Sequence, residues 1–265
     1  MYDGGRDATS TPPANTAPMS RASHAPLVIA LEGSVGVGKS TVMAALRRTF
    51  ATREGVVFLD EPVQLWEESG LLAAMYSGQV SRGVFQQCAL MTRAGPLLRA
   101  LHDPSTTAVI TERSPWSDAH VFAKQLEGFE RAAYELTYAQ LMVAMPHDTP
   151  LHVLMLSAPI HVLEERVRTR NRASEAHSVN RIFLAHLEAA HRAMLDDSVI
   201  ASVEAVEIDA TVPADEVARR VTEHVVRLLG EVTTTLATNS VIEDELPSCP
   251  NCGIIFYPGS ESDEA

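Results

Sequence analysis

Between residues 26 and 230, short apolar runs alternate with longer segments in which apolar residues recur every three or four positions. Five of the short runs are four to six residues long and consist mainly of Val, Ile, Leu and Ala. Continuous apolar character over that length is typical of β-strands that are covered on both faces. The predicted strands are residues 27–32, 56–59, 108–111, 151–156 and 204–208.

The longer segments are predicted to be amphipathic α-helices, because their spacing places the apolar side chains along one face. Pro213 and the acidic residues after it begin the last helix, and Gly230 is predicted to end it. The predicted helices are residues 40–51, 64–77, 83–102, 116–126, 130–144, 159–170, 180–196 and 213–230. Alternation of strand and helix predicts a three-layer α/β domain, in which helices cover both faces of a five-stranded parallel sheet with right-handed crossovers.

Both ends of the chain lack this alternation. Residues 1–25 are rich in Ala, Ser, Thr and Pro and are predicted to form a disordered leader. A mitochondrial transit peptide is the alternative, which Asp3, Asp7 and the prolines argue against. Residues 231–265 are acidic and polar and are predicted to form a flexible tail, so the folded domain is expected to span residues 26–230.

Charge and cysteine content narrow the function classes. A net charge of −13 leaves no broad basic surface for nucleic acid, so a phosphorylated ligand would need a local cluster of cations. No apolar run approaches the roughly 18 residues of a membrane span. Cys88, Cys249 and Cys252 are too few for a disulfide framework and fit a reducing compartment such as the cytoplasm. The last two form a single Cys-x-x-Cys, which supplies only half of a tetrahedral zinc site.

A glycine-rich segment follows the first predicted strand and precedes a predicted helix. Its pattern is Gly33-x4-Gly38-Lys39-Ser40, in which glycines allow successive N–H groups to turn toward phosphate oxygens. Lys39 is predicted to contact the β- and γ-phosphates of ATP, and the Ser40 hydroxyl is predicted to ligate Mg²⁺. A flexible ammonium group suits this position because it can follow a phosphate as it moves. The predicted loop comprises Gly33, Ser34, Val35, Gly36, Val37, Gly38, Lys39, Ser40 and Thr41.

Carboxylates follow the second and third predicted strands, in the stretches LDEPVQLW and TERSPWSD. Ligands bind at the carboxyl ends of the strands in open parallel sheets, so these acids are expected near the glycine-rich loop. The Asn-Lys-x-Asp and Asp-x-x-Gly signatures of a GTPase do not occur. Together, the loop and the two acidic motifs resemble the deoxynucleoside kinase family, from about residue 27 to residue 230.

The resemblance implies a P-loop kinase fold with an arginine-rich lid. Glu61 stands in Glu-Pro-Val, five residues before Trp66, and so corresponds to the family's general base. Its neighbour Asp60 points the opposite way on a strand and is expected to be solvated or to cap a helix. Glu112 corresponds to a residue that binds Mg²⁺ through water, and Arg113 to the cation that orients Glu61 and stabilises charge at the 5′ oxygen.

Arginines cluster at the end of the predicted helix 159–170. In the family, arginines of a lid helix at this place contact the triphosphate, and Arg166, Arg170 and Arg172 match their spacing. An arginine fork suits this role because it binds two phosphate oxygens at once. Arg168 lies outside the spacing and is expected to be an extra surface charge.

The segment that follows the second strand also matches the family's substrate-binding helix. The match implies that Gln86 contacts the base edge, and that Tyr76 and the lid residue Glu175 hold the 3′-hydroxyl. One residue fewer separates Tyr76 from Gln86 here than in the family pattern. The residues that would wall the base, with Phe122 stacking on it, are Trp66, Phe85 and Phe122.

Arg93 and Asp118 are expected to complete the acceptor pocket. Both are expected to point into it and to pair, because either charge would be costly to bury alone. Family members that favour deoxycytidine or purine deoxynucleosides carry such a pair, whereas members that favour thymidine have small or apolar residues. The prediction therefore favours deoxycytidine, and a broader range that includes thymidine and purines stays open because Ala89 keeps the pocket wall small.

The sequence thus predicts an ATP-dependent deoxynucleoside kinase of nucleotide salvage. One alternative is a nucleoside monophosphate kinase of thymidylate type, which would need further cations for the acceptor phosphate. Another is a non-catalytic nucleotide-binding regulator, which the intact Glu61, Arg113 and lid argue against. The predicted partners are a deoxynucleoside and ATP, without nucleic acid or membrane, and the resemblance implies a homodimer. A composition rich in Arg and Ala, with two lysines, indicates a GC-rich genome, and a virus-encoded protein in the host cytoplasm fits it.

Overall fold

A parallel sheet forms the centre of the computed structural model, which describes residues 25–146, 149–170, 172, 179–196 and 204–245. The strands in this part of the chain are β1 (Leu27–Gly33), β2 (Val56–Leu59), β3 (Ala108–Glu112), β4 (Leu151–Ser157) and β5 (Glu204–Asp209). They lie in the order β2-β3-β1-β4-β5, and every neighbouring pair is parallel. The predicted α/β fold with a five-stranded parallel sheet is therefore confirmed.

Helices pack on both faces of the sheet. They are α1 (Lys39–Thr49), α2 (Val63–Glu68), α3 (Leu71–Tyr76), α4 (Arg82–Leu101), α5 (Pro115–Ser117), α6 (Gly128–Ala144), α7 (Ile160–Arg170), α8 (Arg181–Asp196) and α9 (Ala214–Glu245). Helices α1, α7 and α9 contribute to the core on one face, α4 contributes on the other, and α8 contributes to both. Helix α6 packs against the outer side of α4.

The central strand β1 is buried along its whole length. Ile29 and Leu31 pack into the cluster that contains α1 and α9. Val28 and Ala30 point the opposite way, into the cluster that contains α4 and α8. Because both faces are covered, β1 needs apolar residues at consecutive positions, which explains the unbroken apolar run in the sequence.

The predicted helix 64–77 is divided into α2 and α3. Gly70 separates them and has a φ of 71°, a left-handed conformation that an α-helix does not contain. The chain therefore turns between the two helices, which share a small apolar cluster with Phe85 and Ala89 of α4. This cluster forms one side of the site described below.

The predicted helix 116–126 is also irregular. It comprises α5, a π-helical turn at Asp118–Phe122 and a 3₁₀ turn at Ala123–Gln125. Ser114 caps α5 with its side chain. Single π-helical turns occur frequently at functional sites, and this one carries two residues of the predicted pocket.

The prediction that Gly230 ends the last helix is wrong, because α9 continues through Glu245. A glycine inside a helix costs only about 1 kcal/mol relative to alanine, so it does not stop a helix by itself. Residues 231–245 are therefore helical. The remaining tail, with Cys249 and Cys252, lies outside the described residues.

The predicted leader up to residue 24 also lies outside the described residues, and the division of the chain into leader, domain and tail stays a prediction. None of the described helices combines the length and the apolar character that a membrane crossing requires.

Candidate active site

The carboxyl ends of β1, β2 and β3 form one edge of the sheet, where a cleft of about 1360 Å³ opens. The register pairs Leu31 of β1 with Glu112 of β3, so the loop after β1 and the acidic end of β3 start at the same level. The cleft is lined by that loop, by the segments after β2 and β3, and by residues of α4, α7, α8 and α9. This is the edge at which ligands bind in open parallel sheets.

The loop between β1 and α1 depends on glycine for its path. Gly33, Gly36 and Gly38 have φ values of 130°, 82° and 110°. A Cβ atom at Gly33 would lie 2.3 Å from the carbonyl oxygen of Leu156, and a Cβ atom at Gly36 would lie 2.9 Å from Cγ2 of Val167 on α7. The loop can therefore pass this close to β4 and to α7 only because these two side chains are absent.

Lys39 begins α1, and its side chain turns back into the loop. Its Nζ donates to the carbonyl oxygens of Gly33 at 3.0 Å and of Ser34 at 3.1 Å. Burial and the nearby Arg113 lower the pKa of Lys39 to about 8, while nearby carboxylates act in the opposite direction. The hydrogen bonds of this buried cation thus go to neutral oxygens, which favours the arrival of an anion in the loop.

Most of the predicted loop borders the cleft. Residues 35–41 line it, whereas Gly33 and Ser34 do not. The Oγ atom of Ser34 is buried and has no hydrogen-bond partner in the part of the chain that the structure describes.

Ser40 and Glu112 meet at the mouth of the loop. The Ser40 Oγ donates to Glu112 Oε1 at 2.9 Å, and burial raises the pKa of Glu112. No group of three or more His, Cys, Asp or Glu side chains within the described residues could hold a metal ion by itself. A hydroxyl and a carboxylate next to a phosphate-binding loop do fit Mg²⁺, which prefers oxygen ligands and usually completes its shell with phosphate and water.

The adjacent acids after β2 point in opposite directions. Asp60 pairs with Arg47 at 2.7 Å, and its side chain is 60% exposed. The side chain of Glu61 is 15% exposed and faces the interior of the site. This arrangement agrees with the expectation that only one of the two acids faces the loop.

One oxygen of Glu61 accepts hydrogen bonds from two guanidinium groups. Arg113 Nε donates to Oε1 at 3.0 Å, and Arg93 Nη2 donates to the same atom. Burial alone would raise the pKa of Glu61, but Arg113, Arg93 and Lys39 lower it to about 2. Glu61 is therefore an ionised carboxylate at neutral pH.

Arg113 holds Glu61 from an unusual backbone conformation. Its φ is 66°, the only positive value among the described residues other than glycine. Thr111 Oγ1 donates to the Arg113 carbonyl at 2.8 Å, and Arg113 Nη1 donates to the Gly33 carbonyl at 3.2 Å. The guanidinium carbon also lies 4.5 Å from the Phe122 ring centroid. Such conformations cost free energy and persist where the surroundings fix them, often in active sites.

Arg93 and Asp118 pair as predicted, but they do not both reach the cleft. Arg93 lines the cleft, and its Nη1 donates to Asp118 Oδ1. Asp118 is completely buried and does not line the cleft, which corrects the expectation that both side chains point into the pocket. Burial raises the pKa of Asp118 to about 7, against the opposing effect of Arg93.

The residues predicted to bind the acceptor gather on one wall of the cleft. Trp66 Nε1 donates to Thr92 Oγ1 at 3.1 Å, and the Trp66 and Phe85 rings meet edge to face at 5.4 Å. Gln86 Oε1 is buried without a partner among the described residues. Ala89 is fully buried behind this wall, and Glu175 lies outside the described residues. The predicted acceptor residues that line the cleft are Trp66, Tyr76, Phe85, Gln86, Arg93 and Phe122.

The three predicted lid arginines line the cleft in different ways. Arg166 donates to the carbonyl oxygens of Val37 at 3.2 Å and of Ala210 at 2.8 Å, so it connects α7 to two loops. Arg170 is exposed at the end of α7, and Arg172 Nε lies 3.4 Å from Glu67 on α2. Arg168 is exposed and pairs with Glu165, as expected for a surface charge.

Two buried residues of the site were not predicted from the sequence. Glu32 is fully buried at the end of β1, accepts a hydrogen bond from Ser114 Oγ at 2.7 Å, and lies 3.9 Å from Arg113 Nη1. An acid inside an apolar strand was the signal that pointed to it. His191 on α8 is buried against the edge of Phe122. Burial lowers the pKa of His191 to about 3, and no motif in the sequence distinguishes this histidine from the others.

A parallel sheet that ends in a glycine-rich loop, with a buried lysine and an inward carboxylate beyond it, defines a P-loop phosphotransferase. The chain belongs to the deoxynucleoside kinase family, whose model matches residues 29–230. It is also similar to "Putative kinase protein 029R" of Invertebrate iridescent virus 3, with 30% identity over 154 residues. The aligned part covers 56% of this chain and 72% of the relative.

The close approach at Gly33 leads to a first prediction. Gly33→Ala should lower the free energy of unfolding by more than the roughly 1–2 kcal/mol expected for a positive φ alone, and should abolish ATP binding. Gly78→Ala is the matched control, because Gly78 has a φ of 77° and no described atom within 4 Å of a Cβ there. Urea unfolding and ATP titration calorimetry measure both effects. Equal losses in the two variants would contradict the steric argument.

Proposed function

We propose that this protein is an ATP-dependent deoxynucleoside kinase that transfers the γ-phosphate to the 5′-hydroxyl of a deoxynucleoside, with deoxycytidine preferred. Its family membership supports a phosphotransferase that uses ATP. The observation that carries the proposal is the inward carboxylate of Glu61, which two arginines hold at the cleft into which Lys39 also opens. Such an enzyme would serve nucleotide salvage.

Glu61 is proposed to act as the general base. It would accept the proton of the 5′-hydroxyl as the hydroxyl oxygen bonds to the γ-phosphorus and the bond to the ADP oxygen breaks. Arg113 would keep Glu61 ionised and oriented through the 3.0 Å hydrogen bond. Lys39 and the lid residues Arg170 and Arg172 would stabilise the charge that develops on the transferred group.

The loop residues from Gly33 to Thr41 are proposed to bind the triphosphate, with Arg166 bracing the loop through Val37. Ser40 would hold Mg²⁺ directly and Glu112 would hold it through water, since these two oxygen donors lie together at the loop. When bound, the ion would neutralise charge on the phosphates.

Gln86 is proposed to bind the cytosine edge. Its amide nitrogen would donate to N3, and the unpartnered Oε1 would accept from the 4-amino group. Phe122 would stack on the base, Trp66 and Phe85 would close the wall, and Tyr76 would hold the 3′-hydroxyl together with Glu175. Because an amide can turn over to suit thymine, we assign the choice of base to Arg93, whose position Asp118 fixes from behind.

The role of Glu61 gives a second prediction. Glu61→Gln keeps the size of the side chain and removes the proton acceptor, so kcat should fall about 10²–10⁴-fold with little change in ATP affinity. Asp60→Asn is the control and should stay close to wild type, because Asp60 is exposed and pairs with Arg47. ADP release is measured with deoxynucleosides, then with their monophosphates, then with no acceptor. Undiminished turnover in Glu61→Gln would refute the assignment, and turnover with monophosphates alone would favour the thymidylate-type alternative.

The base preference gives a third prediction. Replacing Arg93 and Asp118 together by Ala should raise the ratio of kcat/KM for thymidine over deoxycytidine by about tenfold or more, since space and a neutral wall replace a cation. Competition among deoxycytidine, thymidine, deoxyadenosine and deoxyguanosine at equal concentration measures it. The exposed pair Arg219 and Glu223 on α9, replaced in the same way, is the matched control. An unchanged ranking would disprove this account of base choice.

We also propose a homodimer. Helices α4 and α6, which pack against each other, each carry large exposed apolar side chains at intervals of seven residues, which align along each helix. Exposure is 58% at Val84, 51% at Met91, 94% at Phe129, 71% at Leu136 and 76% at Val143. A second copy of the chain offers the same apolar stripe and would cover it.

The three cysteines and the viral relative support a virus-encoded protein in the host cytoplasm.

The dimer gives a fourth prediction. Val143→Glu should convert the dimer to a monomer, because it places a charge inside the proposed interface. Val226→Glu on α9 is the matched control, since Val226 is 51% exposed on another surface. Sedimentation equilibrium measures the mass of wild type and both variants. A monomeric wild type, or a dimer that persists in Val143→Glu, would exclude this interface.

A further inference from the structure

Arg93 connects the part of the site that is proposed to bind the nucleobase with Glu61, the proposed general base. Its Nη1 donates to Asp118 on the base side, and its Nη2 donates to Glu61, the proposed general base. One guanidinium fork therefore spans the distance between base recognition and chemistry.

The plane of this fork is fixed. The guanidinium carbon lies 4.8 Å from the Trp66 ring centroid and 5.6 Å from that of Phe122, and the side chain is only 7% exposed. Asp118 is completely buried and does not line the cleft, so a ligand in the cleft cannot displace it from Nη1. The hydrogen bond from Nη2 to Glu61 is therefore the one that an incoming base can exchange.

The same hydrogen bond occupies one of the two carboxylate oxygens of Glu61. Its Oε1 accepts from Arg93 and from Arg113 at once, which uses both lone pairs of that oxygen. In this arrangement Oε1 cannot also accept a proton from a hydroxyl group or from water. Two adjacent cations additionally weaken the carboxylate as a base.

We propose that Arg93 restrains Glu61 while the acceptor site is empty, and that a bound nucleobase releases Glu61 by taking over the Nη2 hydrogen bond. The inference rests on the proposed function, because it takes Glu61 as the general base. Arg93 is then a positioning residue, and Glu61 becomes a stronger base with Oε1 free when an acceptor is present. The expected benefit is that ATP is protected from hydrolysis while no acceptor is bound. In that hydrolysis the water oxygen would bond to the γ-phosphorus, and the bond to the ADP oxygen would break with its electrons leaving on ADP. The water proton would pass to Glu61.

Acceptor-independent ATP hydrolysis tests this inference. Arg93→Gln combined with Asp118→Asn removes both charges, so no unpaired aspartate is buried, and the two amides can still pair. This variant should hydrolyse ATP about tenfold or more faster than wild type without nucleoside, given what a freed general base contributes. Adding Glu61→Gln should remove the increase. Arg99→Gln is the control on the same helix, because Arg99 is exposed and outside the cleft.

The possible outcomes separate the two proposals. Equal hydrolysis by wild type and the double variant, or an increase that survives Glu61→Gln, would overturn the restraint by Arg93. Because this comparison needs no acceptor, it is decided independently of nucleoside phosphorylation, whose absence in wild type would refute the proposed function instead. Circular dichroism checks folding, and Arg93→Met combined with Asp118→Ala provides the same comparison if the first variant does not fold.

Discussion

Buried charges at the carboxyl edge of the sheet must neutralise one another, and the arrangement of the site follows from this requirement. Removing one partner from a buried ion pair is strongly destabilising, so each charge fixes the position of its neighbours. Arg113 contacts Glu61 and the Gly33 carbonyl, and thereby ties the segments after β1, β2 and β3 together. The charged residues in this network are Glu32, Lys39, Glu61, Arg93, Glu112, Arg113 and Asp118.

The strands were predictable because a doubly covered sheet requires consecutive apolar residues. β1 is the clearest case, with Val28 and Leu31 serving opposite faces. The helix ends were harder to predict. Gly70 interrupts a helical pattern and Gly230 does not. The local sequence does not distinguish the two glycines, because it does not show what each turn of the helix packs against.

The site was predictable where a motif also fixes the direction of a side chain. Lys39 and Glu61 follow strands, so the strand geometry points them to the same edge of the sheet. The order of Arg93 and Asp118 was not predictable, because spacing along the chain does not tell which member of a pair lies behind the other. That order depends on the π-helical turn and on the rings of Trp66 and Phe122, which are features of tertiary packing.

The absence of a side chain at Gly36 has a mechanical consequence. Helix α7 rests directly on the backbone of the loop there, since even one added carbon would lie 2.9 Å from Val167 and 3.1 Å from the Leu163 carbonyl. The loop and the helix are in direct contact there, so neither can move closer to the other. Arg170 lies about one turn beyond Val167 on the same helix, so the bare backbone at Gly36 sets the height from which this arginine reaches the mouth of the cleft.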